Sequence, residues 1–80
     1  MTKIQREKHI GQLNTILEQA GAKLDRWGMY HIGNYKFDTR EVNIKIYHNN
    51  IKFKSVPMTK IEILWFQNYV ELIKKKVSEE

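Results

Sequence analysis

From Val42 to His48 the chain alternates apolar and polar residues without a break. Val42, Ile44 and Ile46 share one side, Asn43, Lys45 and Tyr47 the other. That is the two-residue period of a half-buried strand. Asn49-Asn50 follows, and asparagine tolerates positive φ, so the pair predicts a type I′ hairpin turn. Ile51–Val56 alternates next. A two-residue turn pairs Tyr47 with Lys52, Ile46 with Phe53, Lys45 with Lys54 and Ile44 with Ser55. Upstream, Tyr35-Lys36-Phe37 alternates as well, and Asp38-Thr39-Arg40-Glu41 reads as a four-residue loop. That loop pairs Phe37 with Val42, Lys36 with Asn43 and Tyr35 with Ile44. The registers agree on an apolar face of Tyr35, Phe37, Val42, Ile44, Ile46, Ile51 and Phe53. The opposite face then carries Asn34, Lys36, Asn43, Lys45, Tyr47, Lys52 and Lys54, with no acid. A one-residue slip destroys that agreement.

The period changes to 3.6 on both sides of this region. Ile10, Leu13, Leu17, Ala20 and Leu24 form one helical stripe. Thr2 and Gln5 have capping-box spacing, and Gly21 stands where a C′ glycine ends a helix, so the spacing predicts a helix over 3–20. Thr59 and Glu62 form a second capping box, with Met58 and Ile63 at staple spacing, and Ile63, Phe66, Val70, Ile73 and Val77 make a second stripe. That helix should run from Thr59 to about Val77, with Lys74-Lys75-Lys76 in its last turn, where cations suit the helix dipole. Ile61, Leu64, Trp65, Tyr69 and Leu72 widen its apolar face beyond a normal core stripe. The expected fold is α+β, in the order α-β-β-β-α. A three-stranded antiparallel meander carries both helices on its apolar face, and residues 1–80 form a single domain.

Charge sharpens the picture. Fourteen lysines and arginines against nine acids give a formal net charge of +5 in 80 residues, which favours an anionic partner. There is no cysteine, so no disulfide or thiolate metal site is available. The first residues lack the apolar core of a signal peptide, and no apolar run approaches the ~18 residues of a membrane span. A cytoplasmic protein with no membrane contact is expected. Heavy use of Lys, Ile and Asn fits an AT-rich bacterial, phage or mobile-element genome.

Four groups of residues are candidates for function. The first is the lysine face: Lys36, Lys45, Lys52 and Lys54 with Tyr47. Lys45 opposite Lys54 costs stability unless an anion relieves the pair, and phosphate is a natural counter-charge. The ordinary reading is that lysines on open sheets prevent aggregation. The second is the loop Lys23–His31, which gathers Arg26, Trp27, Tyr30 and His31. Arg, Trp and Tyr dominate binding hot spots and stack on unpaired bases. The ordinary reading of Trp27 is a side chain closing the end of the core above an Asp25–Gly28 type I turn. The third is the surplus face of the second helix, Ile61, Trp65, Tyr69 and Leu72, which would suit a homodimer or partner contact. The fourth is the basic start of the first helix, Lys3, Arg6, Lys8 and His9. Catalysis has little support: His9, His31 and His48 lie on three different elements, and no metal-ligand spacing occurs. No catalytic residue, metal or cofactor is expected.

Two resemblances attach to these residues. Asp25-Arg26-Trp27-Gly28-Met29-Tyr30, followed by Gly33-Asn34-Tyr35-Lys36-Phe37, resembles a pattern in small phage-borne proteins, which implies a phage context. Gly28-Met29-Tyr30-His31 and Val56-Pro57 resemble the Gly-Ser-His-His and Val-Pro strings of HicA-type mRNA-interferase toxins, which have a double-stranded-RNA-binding layout. The family's catalytic histidine falls at Tyr30, and only the neighbouring His31 is present. The leading expectation is a non-catalytic binding protein of phage or mobile-element type. It docks on nucleic acid, or on the acidic surface of a host protein that handles nucleic acid, as a stoichiometric inhibitor. The alternative is a HicA-like RNA-cleaving toxin using His31.

Overall fold

The computed structural model describes residues 2–79. Its elements are α1 (Lys3–Gln19), β1 (Lys23–Leu24), β2 (Tyr30–Ile32), β3 (Tyr35–Asp38), β4 (Asn43–His48), β5 (Ile51–Pro57), a 3-10 turn (Met58–Lys60) and α2 (Ile63–Ser78). The α+β class and the two helices on one side of an antiparallel sheet agree with the periodicity. The strand count does not: the sheet has five strands in the order β1-β2-β3-β4-β5, not three. The two additional strands fall on the segment expected to be a loop, Lys23–His31, with β2 running one residue past it. They hold only two and three residues, too few for alternation to declare itself.

Local chemistry fixes the ends of α1. The Thr2 hydroxyl accepts from the Gln5 N–H at 3.2 Å while the Gln5 side chain accepts from the Thr2 N–H at 3.0 Å. Gly21 follows the helix at φ +87, a conformation that costs a residue with a Cβ. The second helix starts later than its sequence implies. Thr59 makes no capping box, and α2 begins at Ile63 without a side-chain cap. Met58 and Ile61 are both buried. The chain runs along the core through a 3-10 turn and an extended Ile61 before the helix can turn away.

Two registers differ from expectation. Between β3 and β4 the pairs are Tyr35 with His48, Lys36 with Tyr47, Phe37 with Ile46 and Asp38 with Lys45. This is a shift of four residues, an even number, so each strand keeps its apolar face. The connection instead begins after Asp38. The Asp38 carboxylate is buried under the Arg40 guanidinium, which donates from Nε at 3.0 Å and from Nη2 at 3.1 Å. Thr39 is buried too, its hydroxyl donating to the Asn14 carboxamide of α1. Val42, left in this connection, is exposed rather than core.

The β4–β5 hairpin turns at Asn49-Asn50, both at positive φ as a type I′ turn requires. Tyr47 pairs with Lys52 as expected, but Ile46 pairs with Lys54, so Phe53 is the extra residue of a β-bulge. Beyond the bulge every side chain changes face. Lys45 lies opposite Ser55 rather than Lys54, and Ile44 meets Val56 instead of a serine. Lys54 swings to the helix side, with its ammonium 5.7 Å from the Trp65 ring and 5.5 Å from Tyr69. Phe53 is 51% exposed and Ile51 71%, against an expectation of burial.

The core lies between the sheet and the helices. Leu13 and Leu17 of α1 and Phe66, Val70 and Ile73 of α2 pack on Phe37, Ile44 and Ile46, with the Phe37 and Phe66 rings edge to face. The other face of the sheet carries no helix.

Candidate functional site

The pairings align one transverse row on the uncovered face: Lys23, His31, Lys36, Tyr47 and Lys52, one residue from each of the five strands. Lys23 and Lys52 are exposed; His31, Lys36 and Tyr47 are half-buried. Adjacent residues in such a row stand about 5 Å apart, close enough to act on one extended ligand. Lys36 Nζ sits 5.0 Å from the Tyr47 ring centroid, a cation held over an aromatic face. No salt bridge engages Lys23, Lys36 or Lys52 among the described residues.

The next row toward the β3–β4 connection is Asp38, Lys45 and Ser55. It corrects the expectation of an acid-free face. Here the charges are neutralised: Asp38 by Arg40, and Lys45 by Glu41, which accepts from Nζ at 3.0 Å. The Arg40 guanidinium holds the Asp38 carboxyl below its usual range despite the burial. The Glu41 hydrogen bond pushes the Lys45 ammonium up. The uncovered face therefore divides into a row whose three lysines have no acidic partner among the described residues and a self-compensated one.

The β1–β2 hairpin supplies His31 its partner. The Asp25 Oδ1 accepts from the N–H groups of Trp27 at 2.9 Å and Met29 at 3.0 Å, folding residues 25–29 into a tight loop. The other oxygen, Oδ2, meets His31 Nε2. That hydrogen bond, with the two backbone donors, lowers the Asp25 pKa to about 2. An ionised carboxylate only accepts, so Nε2 is the donor of this hydrogen bond. Arg40 Nη1 donates to the Trp27 carbonyl at 2.6 Å and ties this loop to the β3–β4 connection.

The expected site residues separate into four groups. Lys36, Lys45, Tyr47, Lys52 and His31 lie on the uncovered face. Lys54 is on the helix side and leaves the basic surface. Tyr30 is a core residue, 5% exposed, whose hydroxyl donates to Glu18 of α1 at 3.0 Å; burial foremost raises the Tyr30 phenol. Arg26 and Trp27 stand at the loop tip, the guanidinium carbon 4.4 Å from the indole centroid. Trp27 is 60% exposed, so it does not close the core. Of the surplus face of α2, Ile61 is buried, while Trp65 and Tyr69 stack at 5.3 Å and Leu72 is exposed. Lys23 is the member of the row that sequence reasoning missed. Its signal was the Asp25–Gly28 turn, which implies a hairpin and hence a strand on each side.

The chain matches no protein-family model, and no curated protein or solved structure is significantly similar to it.

Proposed function

We propose that this chain is a non-catalytic binding module for single-stranded nucleic acid, which it holds along the row Lys23–His31–Lys36–Tyr47–Lys52. It acts stoichiometrically, by occupying the strand, in a bacterial cytoplasm. The observation that carries the reading is the row itself: three cations without acidic partners, one aromatic ring among them, on a face no helix covers. Phosphates answer the lysines, and each contact releases counterions. The Tyr47 ring, and the Trp27 ring with Arg26 over it, offer stacking surfaces that unpaired bases have free and duplex bases do not. An acidic protein would need carboxylates spaced to the same row.

Fluorescence anisotropy with a labelled RNA of about 12 nucleotides tests this, a length within the usual footprint of such modules. Each of Lys23→Ala, Lys36→Ala and Lys52→Ala should lower the log–log salt slope by about 0.7, the value for one single-strand phosphate contact. Lys45→Ala and Lys54→Ala should leave it unchanged, because one is paired to Glu41 and the other lies across the sheet. Equal effects from all five, or none, would overturn the reading.

One observation favours a second reading, RNA cleavage of the HicA type. His31 is oriented by an ionised Asp25 within the basic row, an arrangement suited to a general base. The same RNA decides between the two. Recovery of intact strand after prolonged incubation supports binding alone; cleavage lost on His31→Ala with the fold retained supports the toxin.

A further inference from the structure

The helix side of the β4–β5 hairpin carries an open slot of about 290 Å³, lined by Tyr35, His48, Asn49, Ile51 and Phe53. Its floor is a stacked pair: the Tyr35 and His48 rings lie 4.3 Å apart at 13°. Phe53 stands as a wall, its ring at 74° to that of Tyr35 and 6.2 Å away. The bulge creates this wall. Without it Phe53 would lie opposite Ile46; as the extra residue it stays half out of the core. Two large apolar side chains, Ile51 and Phe53, thus remain exposed beside a stacked aromatic floor, with Asn49 in the lining.

The slot adjoins the cationic row. Lys52, the last member of that row, sits between Ile51 and Phe53 on the edge strand β5. A strand running along the row reaches the edge at Lys52, and the slot opens on the far side of that same edge. Its lining suits one planar ring system: the half-exposed Phe53 ring and the half-buried His48 for stacking, Ile51 as an apolar edge, and Asn49 as a polar residue. We infer that the slot takes one unstacked nucleobase of the bound strand, turned over the β5 edge while its phosphate stays on Lys52. This rests on the nucleic-acid reading and extends it, since it requires a strand whose bases are free to turn outward.

The test compares two labelled strands with the same number of phosphates, one bearing bases throughout and one abasic throughout, against wild type, Phe53→Ala, Phe53→Leu and His48→Ala. Stacking of one base is worth about tenfold in affinity. Both Phe53 variants and His48→Ala should lose roughly that factor on the base-bearing strand and nothing on the abasic one, with the salt slope unchanged. Phe53→Leu keeps apolar bulk at the position, so its loss reports the ring rather than the fold; the thermal midpoint checks that the fold is kept. If the variants weaken both strands equally, or neither, while Lys36→Ala and Lys52→Ala still lower the slope, the slot is not a base site and the face reading stands. If wild type binds neither strand, both are overturned.

Discussion

Asp25 links the β1–β2 loop to the cationic row, and its charge makes that link depend on pH. Its folded pKa of about 2 lies below the ordinary 3.8, with the His31 hydrogen bond as the largest cause. A depressed carboxyl contributes stability that is fully present above the unfolded value and is lost as pH falls through the folded one. The window here is therefore between about 3.8 and about 2. Asp25→Asn keeps an oxygen that can accept from Trp27 and Met29, but it puts an NH2 donor where Oδ2 met His31, so it removes the charge together with the His31 hydrogen bond. The variant should melt below wild type at neutral pH, and thermal midpoints measured at falling pH should converge through that window. A constant gap down to pH 2 would show that shape, not charge, holds the loop. The sequence already placed Asp25 at the head of a tight turn and His31 among the candidate residues of the same loop. Their pairing was not legible, because it depends on β1 and β2 being strands. Tyr30 shows the converse limit. A tyrosine beside Arg and Trp reads as a contact residue, and only its partner Glu18, twelve residues earlier, reveals it as core.

At the scale of elements, the bulge in β5 decides which side chains the protein spends on its core and which it leaves for a ligand. Ile46 is fully buried and Phe53 half exposed. Ile46→Ala should cost about 2–5 kcal/mol, the range for truncating a buried isoleucine. Phe53→Ala should cost clearly less than the roughly 3–5 kcal/mol of a buried phenylalanine. Urea denaturation of the two variants checks this, and equal large losses would restore the unbulged register. The helices, the Asn49-Asn50 turn and the faces of β3 and β4 were legible, because each is written in local periodicity or a local turn residue. The bulge was not, because a run that alternates in phase contains no sign of where one residue will be skipped. Its reason is non-local: skipping Phe53 puts Val56 opposite Ile44 and lets Met58 and Ile61 into the core. The β3–β4 register failed in the same way. Asp38 reads as a loop residue until Arg40 is seen closing over it. The row was half legible as a result: Lys36, Tyr47 and Lys52 were named together, Lys54 was included wrongly, and Lys23 was absent.

Across the whole molecule, a second group of cations, Lys74-Lys75-Lys76, lies near the end of α2. The last turns of α2 pack against the β2–β3 turn; a Cβ on Gly33 would lie 2.7 Å from Val77 Cγ1. The β4–β5 turn is tied to the same end through the Asn49 N–H, which donates to the Asn34 carbonyl at 3.0 Å. The exposed run Lys74-Lys75-Lys76 therefore lies at the end of the sheet nearest the cationic row, on the helix side. These lysines do not belong to the row, so their action on a polyanion is through the field. Such steering raises the association rate and fades when the Debye length shrinks, from about 30 Å at 0.01 M salt to about 8 Å at 0.15 M. Replacing all three by Gln should slow RNA association at low salt, bring it close to wild type at physiological salt, and leave dissociation unchanged. Stopped-flow mixing at the two salt concentrations reads both rates. The helix itself should lose only about 0.3–1 kcal/mol per cation removed from its C-terminal dipole, so a folded variant is expected. Faster dissociation at physiological salt would mean that the strand touches α2 directly, and the bound path would then continue past the β2–β3 turn instead of ending at the β5 edge.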